Sequence, residues 1–355
     1  MIALFVITIF TISFVSSLCL LWIIKKYACR WGLKDVPNAR KMHDHVMPRG
    51  GGIGIFVSML LAYGAGWLLA YYCNTQFGVL DSYIDEHPLF WKEVSIILLG
   101  ATIIFMTGLC DDFFNLRPWT KLLLESCVAW LLILNEIRIT LFIENYLFSV
   151  LVTWAWVILI TNSFNLLDNM DGLSAGICII ASSVILIVAF QTQQYISAFL
   201  IIAILGSLIG FLFYNFHPAS IFMGDSGSLT IGYMMATLTI YTTFAKETAF
   251  PVAMPIIILA VPLFDTFTVI ILRIRAGCSI FQADKRHFSH RLLHLGFTPV
   301  QSVGLIYLLT CVTSCDALLL YHLTFIGIII VLFQLIGTLL IIHILEQVGN
   351  HNHDN

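Results

Sequence analysis

Long apolar runs, each close to the length of a membrane-spanning helix, follow one another along almost the whole chain of 355 residues. Hydrophobic residues make up 59% of the sequence and charged residues only 10%, whereas ordinary soluble domains carry about 25% charge. A helix needs about 20 apolar residues to cross the hydrocarbon core of a bilayer, so the sequence predicts an all-α, polytopic membrane bundle of about 11 transmembrane helices. The predicted spans are 2–24, 52–72, 94–110, 120–134, 146–162, 173–190, 196–214, 227–244, 251–272, 300–320 and 323–345.

The distribution of basic residues sets the expected orientation of this bundle. Of the 17 Lys and Arg residues, only Lys92, Arg138 and Lys246 lie in or beside the loops that follow the even-numbered spans. Cytoplasmic loops of membrane proteins are enriched in Lys and Arg, so we expect the N-terminus outside and the C-terminus in the cytoplasm. Residues 1–346 are predicted to form a single transmembrane domain, followed by a short flexible tail at 347–355.

Four polar, acid-rich clusters lie at the ends of apolar runs. They are Asp111-Asp112, Asn165–Gly172, Met223–Gly227 and Asp284–His290. A carboxylate at membrane depth costs about 2.5–3.5 kcal/mol even on the mildest insertion scale, so four such clusters indicate a polar site. In the predicted orientation all four face the cytoplasm, where they could converge on a metal ion and phosphate groups.

Adjacent carboxylates at one helix end suggest two separate tasks. On a helix the side chains of Asp111 and Asp112 diverge by about 100°, so one could face a metal and the other a substrate. The alternative is a solvated cap. Asp225 begins the eighth span, where the amides of a helix N-terminus attract phosphate, or where the Asp itself could be the cap.

A row of amides and carboxylates spaced by threes follows the fifth span. Its members are Asn162, Asn165, Asp168 and Asp171. Residues three apart share a helix face, so the row could hydrogen-bond a nucleotide base and ribose or help to order a metal site. The alternative is an Asn- and Asp-rich turn with local caps.

The ninth span and the loop after it add a second polar group. Asp265 lies within the span, three residues after Pro262, and an intramembrane carboxylate is by default a functional candidate. A structural pair with Arg273 is the alternative. His287 and His290 have basic neighbours, so we expect them to contact a phosphate rather than zinc, although a plain basic loop at the membrane surface has the same composition. The many carboxylates favour Mg²⁺ or Mn²⁺.

Seven motifs, in order, resemble those of the polyprenyl-phosphate N-acetylhexosamine-1-phosphate transferases, and the similarity covers nearly the whole chain. The motifs are Asp35–His43, Pro48–Gly52, Asp111-Asp112 with Lys121, Asn165–Leu173, Phe222–Ser228, Pro262–Asp265 and Ala283–Leu292. The resemblance implies transfer of a sugar-1-phosphate from a UDP-sugar to undecaprenyl phosphate, with release of UMP. It further implies a multi-pass protein of the bacterial cytoplasmic (inner) membrane whose active site faces the cytoplasm and whose product initiates cell-envelope polysaccharide synthesis.

The same resemblance implies roles for individual residues. The catalytic residues would be Asp111, Asp112, Lys121, His287 and His290. The substrate-binding residues would be Lys41, His43, Arg49, Asn165, Asp168, Asp171, Asp225 and Arg291. Asp265 and Asp112 would bind the metal ion, Mg²⁺ or Mn²⁺. The expected partners are the two substrates and the lipid bilayer; no nucleic acid is expected, and a homodimer stays open.

Two motifs are similar to the branch of the family that uses small sugars. Arg49-Gly50 stands where the peptidoglycan branch has a Thr-Met pair, and the last loop reads His287-Phe-Ser289-His290 instead of a triple-His run. This implies UDP-N-acetylglucosamine or a close UDP-N-acetylhexosamine as donor, with the C4 epimer left open. Many members have His where this chain has Ser289, so no role is carried over to that position. The alternative function is a secondary transporter of an anionic solute, although the sequence lacks paired broken helices in two halves.

Overall fold

The computed structural model describes residues 2–36, 45–77, 90–140, 145–244, 253–281, 286–320, 327–338 and 340, and these are mainly helical. The helices are α1 (Ile2–Tyr27), α2 (Gly51–Phe77), α3 (Phe90–Phe114), α4 (Pro118–Leu134), α5 (Tyr146–Leu167), α6 (Leu173–Gln191), α7 (Tyr195–Asn215), α8 (Asp225–Thr239), α9 (Ala253–Ile258), α10 (Ala260–Arg275), α11 (Phe288–His294), α12 (Pro299–Leu319) and α13 (Gly327–Thr338). A π-helical turn, Ile240–Phe244, continues α8.

Seven of the described helices are long and apolar enough to span a bilayer, namely α1, α2, α3, α5, α6, α7 and α12. They confirm a multi-pass helical membrane protein. Helices α4, α8 and α10 have 17, 15 and 16 residues, and at about 1.5 Å per residue each is shorter than the roughly 30 Å hydrocarbon core. Of the last predicted span, 327–338 and residue 340 are described, and the predicted tail at 347–355 lies outside the described residues.

The ninth predicted span is two helices rather than one. Helix α9 ends at Ile258 and α10 begins at Ala260, with Leu259 at the junction. Pro262 has no N–H to donate to the carbonyl four residues back, and the Ser314 hydroxyl of α12 donates to that Ile258 carbonyl at 3.1 Å instead. The break that the proline predicts is therefore present, and a neighbouring helix satisfies the freed acceptor.

Small residues let α1 and α7 approach closely. The hydroxyl of Ser13 donates to the carbonyl of Ala203 at 2.5 Å, and that of Ser17 donates to the carbonyl of Ser207 at 2.8 Å. A Cβ added at Gly206 would lie 2.8 Å from the Phe10 carbonyl oxygen. Such contacts between small residues are a main source of helix association in a bilayer, because apolar side chains gain little by leaving lipid for another helix.

A small sheet joins the first loop to the start of α8. Strand β1 (Lys34–Asp35) pairs antiparallel with β2 (Met47–Pro48). Just beyond β2, Arg49 forms a parallel bridge with Phe222, whose N–H donates to the Pro48 carbonyl at 2.9 Å. These backbone bonds hold Arg49 beside the loop that leads into α8.

Candidate active site

Five charged side chains from four parts of the sequence form one ionic cluster: Arg49, Asp111, Asp112, Lys121 and Asp225. The Arg49 guanidinium lies 2.9 Å from the Asp112 carboxylate and 2.5 Å from Asp225. The Lys121 ammonium lies 2.9 Å from Asp111 and 3.0 Å from Asp225. Asp225 is thus shared by both cations. The structure brings together three of the predicted catalytic residues and two of the predicted substrate-binding residues.

The charges of this cluster do not cancel. Three carboxylates face two cations, so one negative charge remains when all five are ionised. Burial alone would lower the pKa of the Arg49 guanidinium, but the carboxylates of Asp112 and Asp225 raise it above its ordinary value. The cluster therefore keeps fixed positive groups for phosphate next to oxygen atoms that can bind a cation.

Asp112 caps a helix other than its own. Its carboxylate oxygens accept from the backbone N–H groups of Asp225 at 2.8 Å and Ser226 at 3.0 Å, the first residues of α8. The first amides of a helix lack partners within the helix and carry partial positive charge. The sequence suggests phosphate, or Asp225 itself, at this position, whereas in the structure the anion at these amides is Asp112 from α3.

Glycines make this contact between α3 and α8 sterically feasible. Gly224 precedes α8 with a φ of 77°, and a Cβ there would lie 2.8 Å from a carboxylate oxygen of Asp112. A Cβ at Gly108 would collide with the Asp225 backbone, and one at Gly52 with the Gly227 amide. A side chain at Gly108 would therefore push α3 away from the start of α8, and a side chain at Gly52 would push α2 away from it.

The carboxylates of Asp111 and Asp112 have different partners, as their divergence on a helix predicts. Asp111 accepts from Lys121 at 2.9 Å and from the Leu116 backbone N–H at 2.6 Å, both at the turn into α4. Asp112 is directed towards Arg49 and the start of α8. Neither carboxylate is a solvated cap, since both side chains are buried.

The first half of the amide row reaches other helices. Asn165 donates to the Ser228 hydroxyl of α8 at 2.9 Å. Asn162 donates to Glu125 at 2.5 Å, and Glu125 is fully buried on α4 one turn after Lys121. These bonds connect α5 to α4 and α8 near the ionic cluster.

In the second half of the row, the Asp171 carboxylate has hydrogen-bond partners and the Asp168 carboxylate has none among the described residues. Asp171 accepts from the Ala219 backbone N–H at 3.0 Å, and its carboxylate lies 2.8 Å from Nδ1 of His217. No hydrogen bond or ion pair joins the Asp168 carboxylate to another described residue. Burial raises the pKa of Asp168 to about 7, and the Asp225 carboxylate adds to this rise. Asp168 is therefore an acceptor that a cation would stabilise.

Asp265 lies outside the ionic cluster and holds α11. One carboxylate oxygen accepts from the Phe288 backbone N–H at 2.6 Å, and the other lies 2.8 Å from Nδ1 of His287. Arg291 on the same short helix donates to the Thr268 hydroxyl of α10 at 3.0 Å. Arg273, the alternative partner of Asp265, donates to the Ile280 carbonyl at 2.6 Å. His290 is buried within α11.

The oxygen atoms of the ionic cluster match the ligand chemistry of Mg²⁺ or Mn²⁺, since carboxylates are the ligands that these ions favour. Asp168 adds a carboxylate with no protein partner, beside Asp112 and Asp225, which also raise its pKa. As the described side chains stand, no three His, Cys, Asp or Glu residues surround one point that could hold a metal ion. A bound ion would therefore have to draw carboxylates away from Arg49 and Lys121.

Several site contacts involve residues that the sequence analysis did not single out. Glu125, Asn169 and His217 each contact a predicted site residue or its loop. Asn169 lies inside a motif of the expected family, which was the available signal, whereas nothing in the spacing indicates that His217 pairs with Asp171. Lys41 and His43 lie outside the described residues.

Comparisons with known proteins give a consistent result. The family model described as glycosyl transferase family 4 matches residues 94–243. A probable undecaprenyl-phosphate N-acetylglucosaminyl 1-phosphate transferase of Bacillus subtilis is 35% identical over 89% of this chain and 85% of that protein. A decaprenyl-phosphate N-acetylglucosaminephosphotransferase of Mycobacterium leprae is 30% identical over 77% and 73%, respectively. The undecaprenyl-phosphate alpha-N-acetylglucosaminyl 1-phosphate transferase of Escherichia coli K12 is 26% identical over 83% and 78%.

Proposed function

Because the chain belongs to glycosyl transferase family 4, we propose that it transfers N-acetylglucosamine 1-phosphate from UDP-N-acetylglucosamine to undecaprenyl phosphate and releases UMP. The observation that carries this proposal is the ionic cluster, which combines two cations with three carboxylates at the end of apolar helices. The names of the matched relatives support the sugar and the polyprenyl phosphate.

The proposed reaction is an in-line displacement at phosphorus. An oxygen of the lipid phosphate attacks the donor phosphorus that carries the sugar, and a new P–O–P bond forms. The bond between that phosphorus and the oxygen bridging to the uridine-bearing phosphate breaks, so UMP leaves with the electron pair. The nucleophile is already anionic, so the protein's main tasks are to align the two phosphates and offset their charge.

Lys121 is the proposed anchor of the lipid phosphate. Its ammonium has three N–H donors, and two of them contact Asp111 and Asp225. The third is free for a phosphate oxygen. Asp111, on the same ammonium, then lies beside the attacking group, where it can orient the phosphate or accept its last proton.

Arg49 is the proposed contact for the donor diphosphate. Its guanidinium has five N–H donors, of which Nε and Nη2 contact Asp112 and Asp225. The remaining donors suit a diphosphate, which a planar guanidinium binds through two parallel bonds. His287, His290 and Arg291 are proposed to contact the donor from α11, and Asn165 and Asp171 its nucleotide.

Asp112, Asp168 and Asp225 are the proposed ligands of Mg²⁺ or Mn²⁺. When bound, the ion supplies positive charge to the phosphate oxygens during transfer. The supporting observations are the unpaired carboxylate of Asp168 and the electrostatic effect of Asp112 and Asp225 on it. Asp265, the other predicted ligand, makes no ion pair with Arg49 or Lys121, and its oxygens contact His287 and the Phe288 amide, so we propose that it holds α11.

The proposed location is the bacterial inner membrane, with about 11 spans, the N-terminus outside and the cluster facing the cytoplasm. The asymmetry of Lys and Arg among the loops supports this orientation. Reporter fusions after Asp112 and after His294 test it, and both should report the cytoplasm. A periplasmic signal at either position would overturn the orientation.

Release of UMP by the purified full-length protein tests the function. The protein would be given undecaprenyl phosphate with UDP-N-acetylglucosamine, UDP-N-acetylgalactosamine or the UDP-muramoyl-pentapeptide donor. We expect turnover with UDP-N-acetylglucosamine and none above background with the pentapeptide donor. Preference for the pentapeptide donor would refute the proposed sugar, and absence of UMP from all three would refute the proposed reaction.

A further inference from the structure

Ser289 joins two predicted parts of the donor site. Its hydroxyl donates to the side-chain carbonyl oxygen of Asn169 at 2.6 Å, and the Ser289 side chain is only 2% exposed. Asn169 lies in the turn between α5 and α6, next to Asp168. Ser289 lies on α11, between His287 and Arg291. One part-buried bond therefore links the turn with the unpaired carboxylate to the helix with the basic residues.

Both ends of this bond are held by other contacts. The Asn169 amide donates to the Leu166 carbonyl at 2.9 Å, which fixes the direction of its carbonyl oxygen. Helix α11 is held to α10 by the bonds of Asp265 to His287 and to the Phe288 amide. A bond between two groups that are already held transmits position well, because little freedom remains to be lost when it forms.

We propose that the Ser289–Asn169 bond is a positioning device that sets the separation between the basic residues of α11 and the Asp168 turn, and thereby the fit of the donor. The inference rests on the proposed function and deepens it. Ser289 is buried and points at Asn169, so it acts through its neighbours and is not a catalytic residue.

The residue type at position 289 suits this task. A serine hydroxyl extends one atom beyond Cβ, so the bond to Asn169 requires the backbone of α11 to lie close to the turn. A hydroxyl is also neutral and can donate one hydrogen bond, so it adds no charge between the basic residues and Asp168.

Steady-state kinetics on four variants test the proposal: Ser289→Ala, Ser289→Thr, Asn169→Ala and the Ala/Ala double variant. We expect Ser289→Ala to raise the KM for UDP-N-acetylglucosamine about tenfold, because α11 is then no longer held at the separation from the Asp168 turn that the donor fits. The KM for undecaprenyl phosphate should stay unchanged. Ser289→Thr keeps the hydroxyl and should stay within about twofold of wild type. The double variant should be no worse than Asn169→Ala alone.

Ser163→Ala is the matched control. Ser163 is also buried, but its hydroxyl donates to the Leu159 carbonyl within its own helix, so neither KM should change. Three results would overturn the proposal: equal loss in Ser289→Thr and Ser289→Ala, additive losses in the double variant, or parallel increases in both KM values.

A substrate-free measurement separates this proposal from the proposed function. Thermal unfolding of the same variants should show the same lack of additivity, whether or not sugar is transferred. If wild-type protein releases no UMP while unfolding shows that lack of additivity, the bond stands and the proposed function and donor role both fall. If UMP is released but only unfolding changes in Ser289→Ala, the positioning role alone is refuted.

Discussion

In the ionic cluster three carboxylates share two cationic side chains, whereas Asp265 gives both of its oxygens to one short helix. The partners of Asp225 are long, partly exposed side chains of Arg49 and Lys121 that can turn towards a ligand. The Phe288 amide that Asp265 accepts from is part of the backbone and cannot turn without moving α11. The comparison indicates that ion pairs with mobile cationic side chains mark where substrate and metal bind, and that Asp265, which has no such pair with Arg49 or Lys121, maintains the position of α11.

The largest expected effect is that of Asp225→Asn. A neutral amide cannot pair with both Arg49 and Lys121, so turnover should fall roughly 10²–10³-fold, as when one transition-state-stabilising group is removed. Glu136→Gln is a control with the same change of charge at an exposed pair with Arg138, and it should leave turnover unchanged. Retention of more than about a tenth of wild-type turnover in Asp225→Asn would remove Asp225 from the reaction centre.

The two cations of the cluster should differ in the substrate they affect. Lys121→Ala should raise the KM for undecaprenyl phosphate about 10–100-fold, and Arg49→Ala should do the same for the UDP-sugar, since each loses a charge-assisted hydrogen bond to phosphate. Initial rates with each substrate varied in turn measure both constants. If both variants raise the same KM, the assignment of one cation to each substrate is wrong.

Metal dependence compares the two regions directly. In Asp168→Asn the Mg²⁺ concentration for half-maximal rate should rise about tenfold or more, because an amide is a poorer ligand for this ion than a carboxylate. Asp265→Asn should lower turnover through α11 and leave the Mg²⁺ midpoint in place. A larger shift of the midpoint in Asp265→Asn than in Asp168→Asn would return Asp265 to the metal site.

The smallest expected effect lies at the edge of the Asp265 region. Thr268→Val removes the hydroxyl that accepts from Arg291 but nearly preserves the shape of the side chain. The Arg291 guanidinium keeps its charge and its contacts with the Phe264 and Phe288 rings, so turnover should fall about threefold or less. A loss as large as that of Asp225→Asn would mean that Arg291 needs this bond to reach the donor.

The apolar pattern predicted much of the fold, because each bilayer-spanning helix must satisfy its backbone bonds within itself. It placed the seven long described helices. The eighth predicted span, 227–244, corresponds to helix α8 and the π-helical turn that continues it to Phe244. The ninth, 251–272, was predicted as one helix but is divided at Leu259.

The chemical types of the site were predictable, but the pairs of residues were not. Asp111, Asp112 and Asp225 were predicted because charge near a membrane is costly, whereas Lys121 was predicted from the resemblance to a known family. That Asp112 would accept from the first amides of α8 depends on how closely α3 and α8 approach at Gly108, which spacing along one segment does not encode. The separation of Asp265 from the cluster likewise follows from the packing of α10 and α11.

The cap that Asp112 provides for α8 has a consequence for biosynthesis. Asp112 and the amide of Asp225 lie 113 residues apart in the chain. At about 5–20 residues per second, the ribosome makes the second partner roughly 6–23 s after the first. During that interval the end of α3 carries a carboxylate whose final partner does not yet exist, so it must stay in contact with water until α8 is inserted beside it.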